Sequence, residues 1–137
     1  MKKTRKGLAA EGATGARAEA PPAPLRCRSK VWLERQGRIA LSAWRIELLE
    51  AIAELGSLSH AAERLNVPYR TAWYKLKDME NSLGIRLLES QSGGAEGGGS
   101  QLTVEARDLI ARFHRASAGL AELIEERFRA EFRDLMS

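Results

Sequence analysis

The stretch from Ser42 to Gly84 admits three consecutive helices and little else. In "SAWRIELLEAIAELG", Trp44, Leu48, Ile52 and Leu55 recur at helical spacing. Ser42 can cap the start, and Gly56 can take the left-handed turn that follows the end. "SLSHAAERLNV" reads as a second, short helix with Ser57 as cap and Ala61, Ala62 and Leu65 facing inward. Its adjacent alanines let another helix cross closely. "PYRTAWYKLKDMENSLG" starts on a proline, which a helix tolerates only in its first turn. Ala72, Leu76, Met79 and Leu83 then form one buried stripe, and Gly84 ends it.

Extended segments flank these helices. "KVWLERQGRIALS" reads as a hairpin turning at Gln36-Gly37, with Val31 and Leu33 facing the same way as Ile39 and Leu41. After Gly84, "IRLLES" and "SQLT" make a second hairpin around a tip that holds Gly93, Gly94, Gly97, Gly98 and Gly99. That tip is no phosphate loop, because Gly99 follows Gly98 where the motif needs Lys. A linker is also the poorer reading, since the segments on its two sides could not bury their apolar faces alone.

The remainder, about 103–135, reads as one continuous helix capped by Thr103. Leu102, Ala106, Leu109, Phe113, Ala116, Leu120 and Leu123 alternate steps of four and three, the spacing of a coiled-coil seam. A helix of that length spans roughly 50 Å, against about 25–30 Å for the rest of the domain. A second copy is therefore expected to cover it, with Leu109, Phe113, Leu120 and Leu123 at the dimer interface. Gly119 costs the helix about 1 kcal/mol and marks a bend or a close crossing.

The formal charge of +4 misleads until it is divided. Residues 1–30 carry eight Lys/Arg against two acids, a net of +6, whereas residues 31–137 carry fourteen against sixteen, a net of −2. The first 30 residues are rich in Ala, Gly and Pro, too poor in apolar surface to offset chain entropy, and are expected to be disordered. No apolar run follows the leading charges, and none approaches the roughly 18 residues of a membrane span, so a cytoplasmic protein without a membrane partner is expected. Catalysis finds no constellation. His60 and His114 lie on different helices, and Cys27 has no second thiol or nearby histidine, so no metal and no cofactor are expected.

The outward face of the third helix is the exception to this blandness. From Arg64 to Lys77 there are four basic residues and no acid, with Tyr69, Trp73 and Tyr74 interleaved. A solvated helix face is often basic, and Trp73 could simply pack on a neighbour. Three aromatics at the start of one basic helix suit nucleic acid better.

Helix, short helix, helix, hairpin and long helix is the order of a winged helix-turn-helix with a dimer helix attached. "GSLSHAAERLNVPYRTAWYKLKDMENSLGIRLLES" and "GGAEGGGSQLT" resemble the DNA-binding domain of ModE-type molybdate-responsive transcriptional regulators, itself similar to the N-terminal domain of LysR-type regulators. The resemblance implies a mostly α fold with a small β part, running from about Val31 to the end. It implies a homodimeric, sequence-specific binder of double-stranded DNA, with the third helix (about 68–83) in the major groove. Tyr69, Arg70, Trp73 and Tyr74 would meet base edges, Ser57, Ser59, Arg64 and Lys77 would meet phosphates, and the glycine loop would be the wing. Pro68 stands where the family has a Ser cap, and Glu96 stands where a basic wing residue is common. The family continues into an oxyanion-binding domain. Here everything after the wing reads as one helix, so the expectation is a stand-alone domain, indifferent to molybdate, with any sensor on a separate protein. The alternative is a dimeric protein-interaction module that kept this fold and lost specific DNA binding.

Overall fold

The computed structural model describes residues 20–91 and 99–136. Residues 28–124 form one compact unit, and residues 20–27 with 125–136 belong to a second. Of the segment 1–30 expected to be disordered, residues 1–19 lie outside the described residues, as do the wing glycines Gly93, Gly94, Gly97 and Gly98.

The first unit opens with an antiparallel hairpin, β1 (Trp32–Arg35) and β2 (Arg38–Ser42). Gln36 and Gly37 both have positive φ, 55° and 76°, as a tight two-residue turn requires. Leu33 pairs with Leu41 but Glu34 pairs with Ile39, so Ala40 is an extra residue in β2. This corrects the expectation that Val31, Leu33, Ile39 and Leu41 face the same way, since only Leu41 of the four is buried. Ala40 and Leu41 are buried, while Val31, Leu33 and Ile39 remain exposed.

Helix α1 (Ala43–Leu55) follows directly, its Ser42 hydroxyl accepting the Arg45 N–H at 3.2 Å. It is the core of the unit: Ile46, Leu48, Leu49, Ala51 and Ile52 are all buried. α2 (Leu58–Arg64) and α3 (Tyr69–Leu83) pack on it through Leu58, Ala61 and Ala62 and through Ala72, Leu76 and Met79. These are the stripes that the helical spacing predicts, with Leu65 and Leu83 at their half-buried ends.

The second hairpin pairs β3 (Leu88–Gln91) with β4 (Gly99–Leu102) in the register Leu88 with Leu102 and Gln91 with Gly99. β4 lies against the end of α1, where the Ser100 N–H donates to the Gly56 carbonyl at 3.0 Å. A Cβ on Gly99 would sit 3.0 Å from that same oxygen, a tight contact that favours glycine at this position. Thr103 closes the hairpin, donating to the Arg86 carbonyl at 2.8 Å and accepting the Ala106 N–H at 3.1 Å.

The helix expected over 103–135 is not continuous. α4 (Val104–Ser117) stops at Ala118, whose ψ is 126°, and Gly119 follows with φ of 79°. α5 (Leu120–Glu131) and the short α6 (Arg133–Met136) come after. The break falls where the chain has a residue that adopts positive φ without a side-chain clash. Leu109 and Phe113, expected at a dimer seam, pack in part on the core of their own unit, with Trp44 and Ile110. Two of the four seam candidates are thus partly spent within the chain.

In the second unit the Phe128 and Phe132 rings stack with centroids 5.9 Å apart. Arg129 pairs with Glu125 at 3.0 Å, and the Leu25 N–H donates to the Leu135 carbonyl at 3.4 Å.

One charged cluster ties three elements together. Asp78 on α3 holds Arg45 of α1 with one carboxylate oxygen and Arg38 of β2 with the other, each at 2.9 Å. The Arg45 side chain is 8% exposed, so its charge depends on this partner. Asp78→Ala should therefore lower the unfolding free energy by about 3 kcal/mol, read as a lower urea midpoint. An unchanged midpoint would mean that the cluster does not hold the helices together.

Candidate nucleic-acid interface

The interface is built on the turn between α2 and α3. The Ser57 hydroxyl starts α2 by accepting the His60 N–H at 3.1 Å. At the other end Leu65 donates to the Ala61 carbonyl and Val67 to that of Ala62, both at 3.0 Å, while Asn66 turns the chain with φ of 62°. Pro68 then precedes α3 in an extended conformation and makes no side-chain cap. The first-turn amides of α3 lack the acceptor that a Ser or Asp would give, and they favour an anion there.

With Ala72, Leu76 and Met79 buried, Tyr69, Arg70, Trp73 and Tyr74 face out. Tyr69 is 53% exposed, Trp73 43% and Tyr74 66%. Trp73, which could simply have packed on a neighbour, keeps much of its surface free. Arg70 is exposed beside them and makes no ion pair among the described residues. The four proposed base-reading side chains therefore share the N-terminal half of one helix face.

The phosphate candidates are less uniform. Lys77 lies 5.8 Å from the centre of the Trp73 ring, a cation–π distance, and bonds Glu80 at 3.2 Å. The second Glu80 oxygen accepts the Leu87 N–H at 2.8 Å, so that carboxylate is largely occupied by the fold. Arg64 pairs with Glu54 of α1 at 2.7 Å, and each raises the other's preference for the charged form: the Glu54 carboxyl is held below its usual range and Arg64 above its own. Ser59 is exposed, while the half-buried Ser57 already serves as a cap. Sequence spacing did not reveal the Glu54 partner, because helix ends meet only in the fold.

A further group of side chains escaped the sequence reading. The β1–β2 turn lies beside α3, forming a cleft of about 690 Å³ lined by Arg35, Arg38, Trp73, Tyr74, Lys77 and Asn81, among others. Arg35 donates to the Ser82 carbonyl at 3.0 Å. The signal was present as two arginines flanking a two-residue turn, but nothing in the sequence says which helix that turn meets. Among the described residues no group of three or more His, Cys, Asp or Glu is placed to hold a metal ion.

Helices α1 to α3 and the wing together match a family. Residues 44–107 match the family described as bacterial regulatory helix-turn-helix protein, lysR family. The chain is 38% identical over 99 residues to the molybdenum-pterin-binding protein MopB of Rhodobacter capsulatus, covering 72% of this chain and 36% of that protein. It is 35% identical over 78 residues to the DNA-binding transcriptional dual regulator ModE of Escherichia coli (strain K12), covering 57% of this chain and 30% of that protein. The chain thus spans about a third of the length of the curated relatives it matches. Full-length CbnR in complex with its target DNA shares the fold, with a TM-score of 0.50 and 23% identity over 64% of this chain and 28% of that one.

The Arg64–Glu54 pair separates two kinds of contact. Arg70→Ala should weaken binding to a preferred duplex by about 1–3 kcal/mol and relax selectivity at one base pair. Glu54→Gln should release Arg64 and strengthen binding to preferred and random duplexes alike, measured by fluorescence anisotropy. Equal effects of Arg70→Ala on both duplexes would remove Arg70 from the base-reading set.

Proposed function

We propose that this chain is a sequence-specific DNA-binding transcriptional regulator that acts as a homodimer, with α3 in the major groove. The observation that carries the reading is the exposed face of α3. Tyr69, Arg70, Trp73 and Tyr74 stand outward on a helix whose opposite side is fixed in the core. Arginine offers the fork that matches the O6 and N7 acceptors of guanine, and the rings offer apolar contact to thymine methyl groups. Ser59, Lys77 and Arg64, once released from Glu54, hold phosphates and set register without reading sequence. The relatives named as transcriptional regulators support this reading.

The interaction-module alternative has its own support: the net charge of −2 over residues 31–137 and the lack of a positive charge between Arg86 and Arg107. The two readings part in a selection experiment, in which the full chain is challenged with randomised duplexes under excess competitor DNA. Enrichment of a two-fold symmetric site with half-sites one helical turn apart, or a multiple of it, is expected. Failure to enrich any sequence supports the interaction module.

The dimer seam in this reading uses α5, where Leu123 is 44% exposed and Leu120 is half-buried beside it. Leu123→Asp should give a folded monomer in sedimentation, because the side chain is not part of the chain's own core. A wild-type chain that sediments as a monomer at micromolar concentration would end the homodimer proposal.

A further inference from the structure

The cleft between the β1–β2 turn and α3 has a charge that the rest of the folded part lacks. Arg35, Arg38 and Lys77 line it with Asp78 as the one acidic lining residue, in a region 31–137 whose balance is −2, and Glu80 enters only as the partner of Lys77. Both acids are engaged. Asp78 has a guanidinium on each oxygen, and Glu80 divides its oxygens between Lys77 and the Leu87 N–H. No free carboxylate is therefore left among them to repel an incoming anion. The cations remain accessible: the Arg38 side chain is 70% exposed and that of Lys77 48%.

Their anchoring is also informative. Arg38 uses one terminal nitrogen on Asp78 and Arg35 one terminal nitrogen on the Ser82 carbonyl. Each guanidinium keeps further N–H donors for a second acceptor, and its direction is set by the first bond. A planar fork so held suits a phosphate oxygen pair, and the ordering cost is already met within the folded protein. Trp73 and Tyr74 line the same cleft and also belong to the base-reading face of α3, so an anion bound there is continuous with whatever α3 reads.

We infer that the β1–β2 hairpin is a third DNA-contacting element, beside α3 and the wing, in which Arg35 and Arg38 together with Lys77 grip the backbone phosphates that pass the C-terminal half of α3. This inference rests on the DNA-binding reading above. It assigns the hairpin a sequence-independent role: it anchors the duplex and fixes the angle at which α3 enters the groove. It also makes up for a wing that has no positive charge of its own.

The test compares the full chain with Arg35→Gln/Arg38→Gln and with Arg35→Lys/Arg38→Lys, by anisotropy on preferred and random duplexes across a salt series. The glutamine pair should lose about tenfold or more in affinity on both duplexes at low salt, with a salt slope shallower by about two units. The lysine pair should recover the slope and only part of the affinity, since charge returns without the fork. Thermal melting of all three proteins shows whether each is folded. If the glutamine pair unfolds, the lysine pair decides, since it keeps the charges that the slope counts and must lose affinity at unchanged slope. Wild-type binding with no change of slope in a folded glutamine pair, or no loss of affinity in the lysine pair, would overturn the inference alone. Wild-type chain that binds no duplex would instead overturn the DNA-binding reading beneath it.

Discussion

Asp78 accepts one bond from Arg38 and another from Arg45, and through them a single carboxylate links the leading hairpin, the central helix and the outward helix. Without it the Arg45 guanidinium would stand buried and unpaired, a cost of several kcal/mol that packing alone does not offset. The apolar core would still form, because Leu48, Ile52, Leu76 and Met79 need no polar partner. What the cluster adds is direction. Apolar stripes allow helices to slide and rotate, whereas a carboxylate bonded on both oxygens fixes which face of α3 turns to solvent. Tyr69, Arg70, Trp73 and Tyr74 lie on the face opposite the buried stripe of Ala72, Leu76 and Met79.

The electrostatics of the chain follow the same economy. The net positive balance lies in residues 1–30, at +6, and residues 31–137 are slightly acidic, at −2. Arg38, Arg64 and Lys77, on α3 or on the elements next to it, each have a carboxylate within bonding distance. Such partners orient long side chains in the free protein. They also reduce the net attraction to any polyanion, and in the proposed reading discrimination then falls to Arg70 and the aromatic rings.

The helices from α1 to α3 were legible in the sequence because their signals are local: a cap, a period and a glycine. Ser42, Ser57 and Gly84 do what their positions suggest, and the stripe from Ala72 to Met79 is buried as its spacing requires. The exposed reading face followed from the same period. Three features were not legible, for different reasons. The Asp78 cluster joins residues 33 and 40 positions apart, which no local pattern encodes. The bulge at Ala40 shifts alternation by one residue, and small apolar side chains fit either register. The seam from Leu102 to Leu123 continues across Gly119 as a pattern, and although Gly119 marked a bend or a close crossing, nothing in the spacing told that the helix would end there.

The central claim is that the folded domain, and not the basic leading segment, recognises DNA through α3. Amide chemical-shift mapping of the full chain titrated with a short duplex tests this most directly. The account predicts that the perturbed residues cluster at Ser57–Lys77, with a second group at Arg35–Arg38, while the core of α1 stays unmoved. Perturbations confined to residues 1–30 would contradict it, and would reduce the binding to attraction between a charged tail and a polyanion.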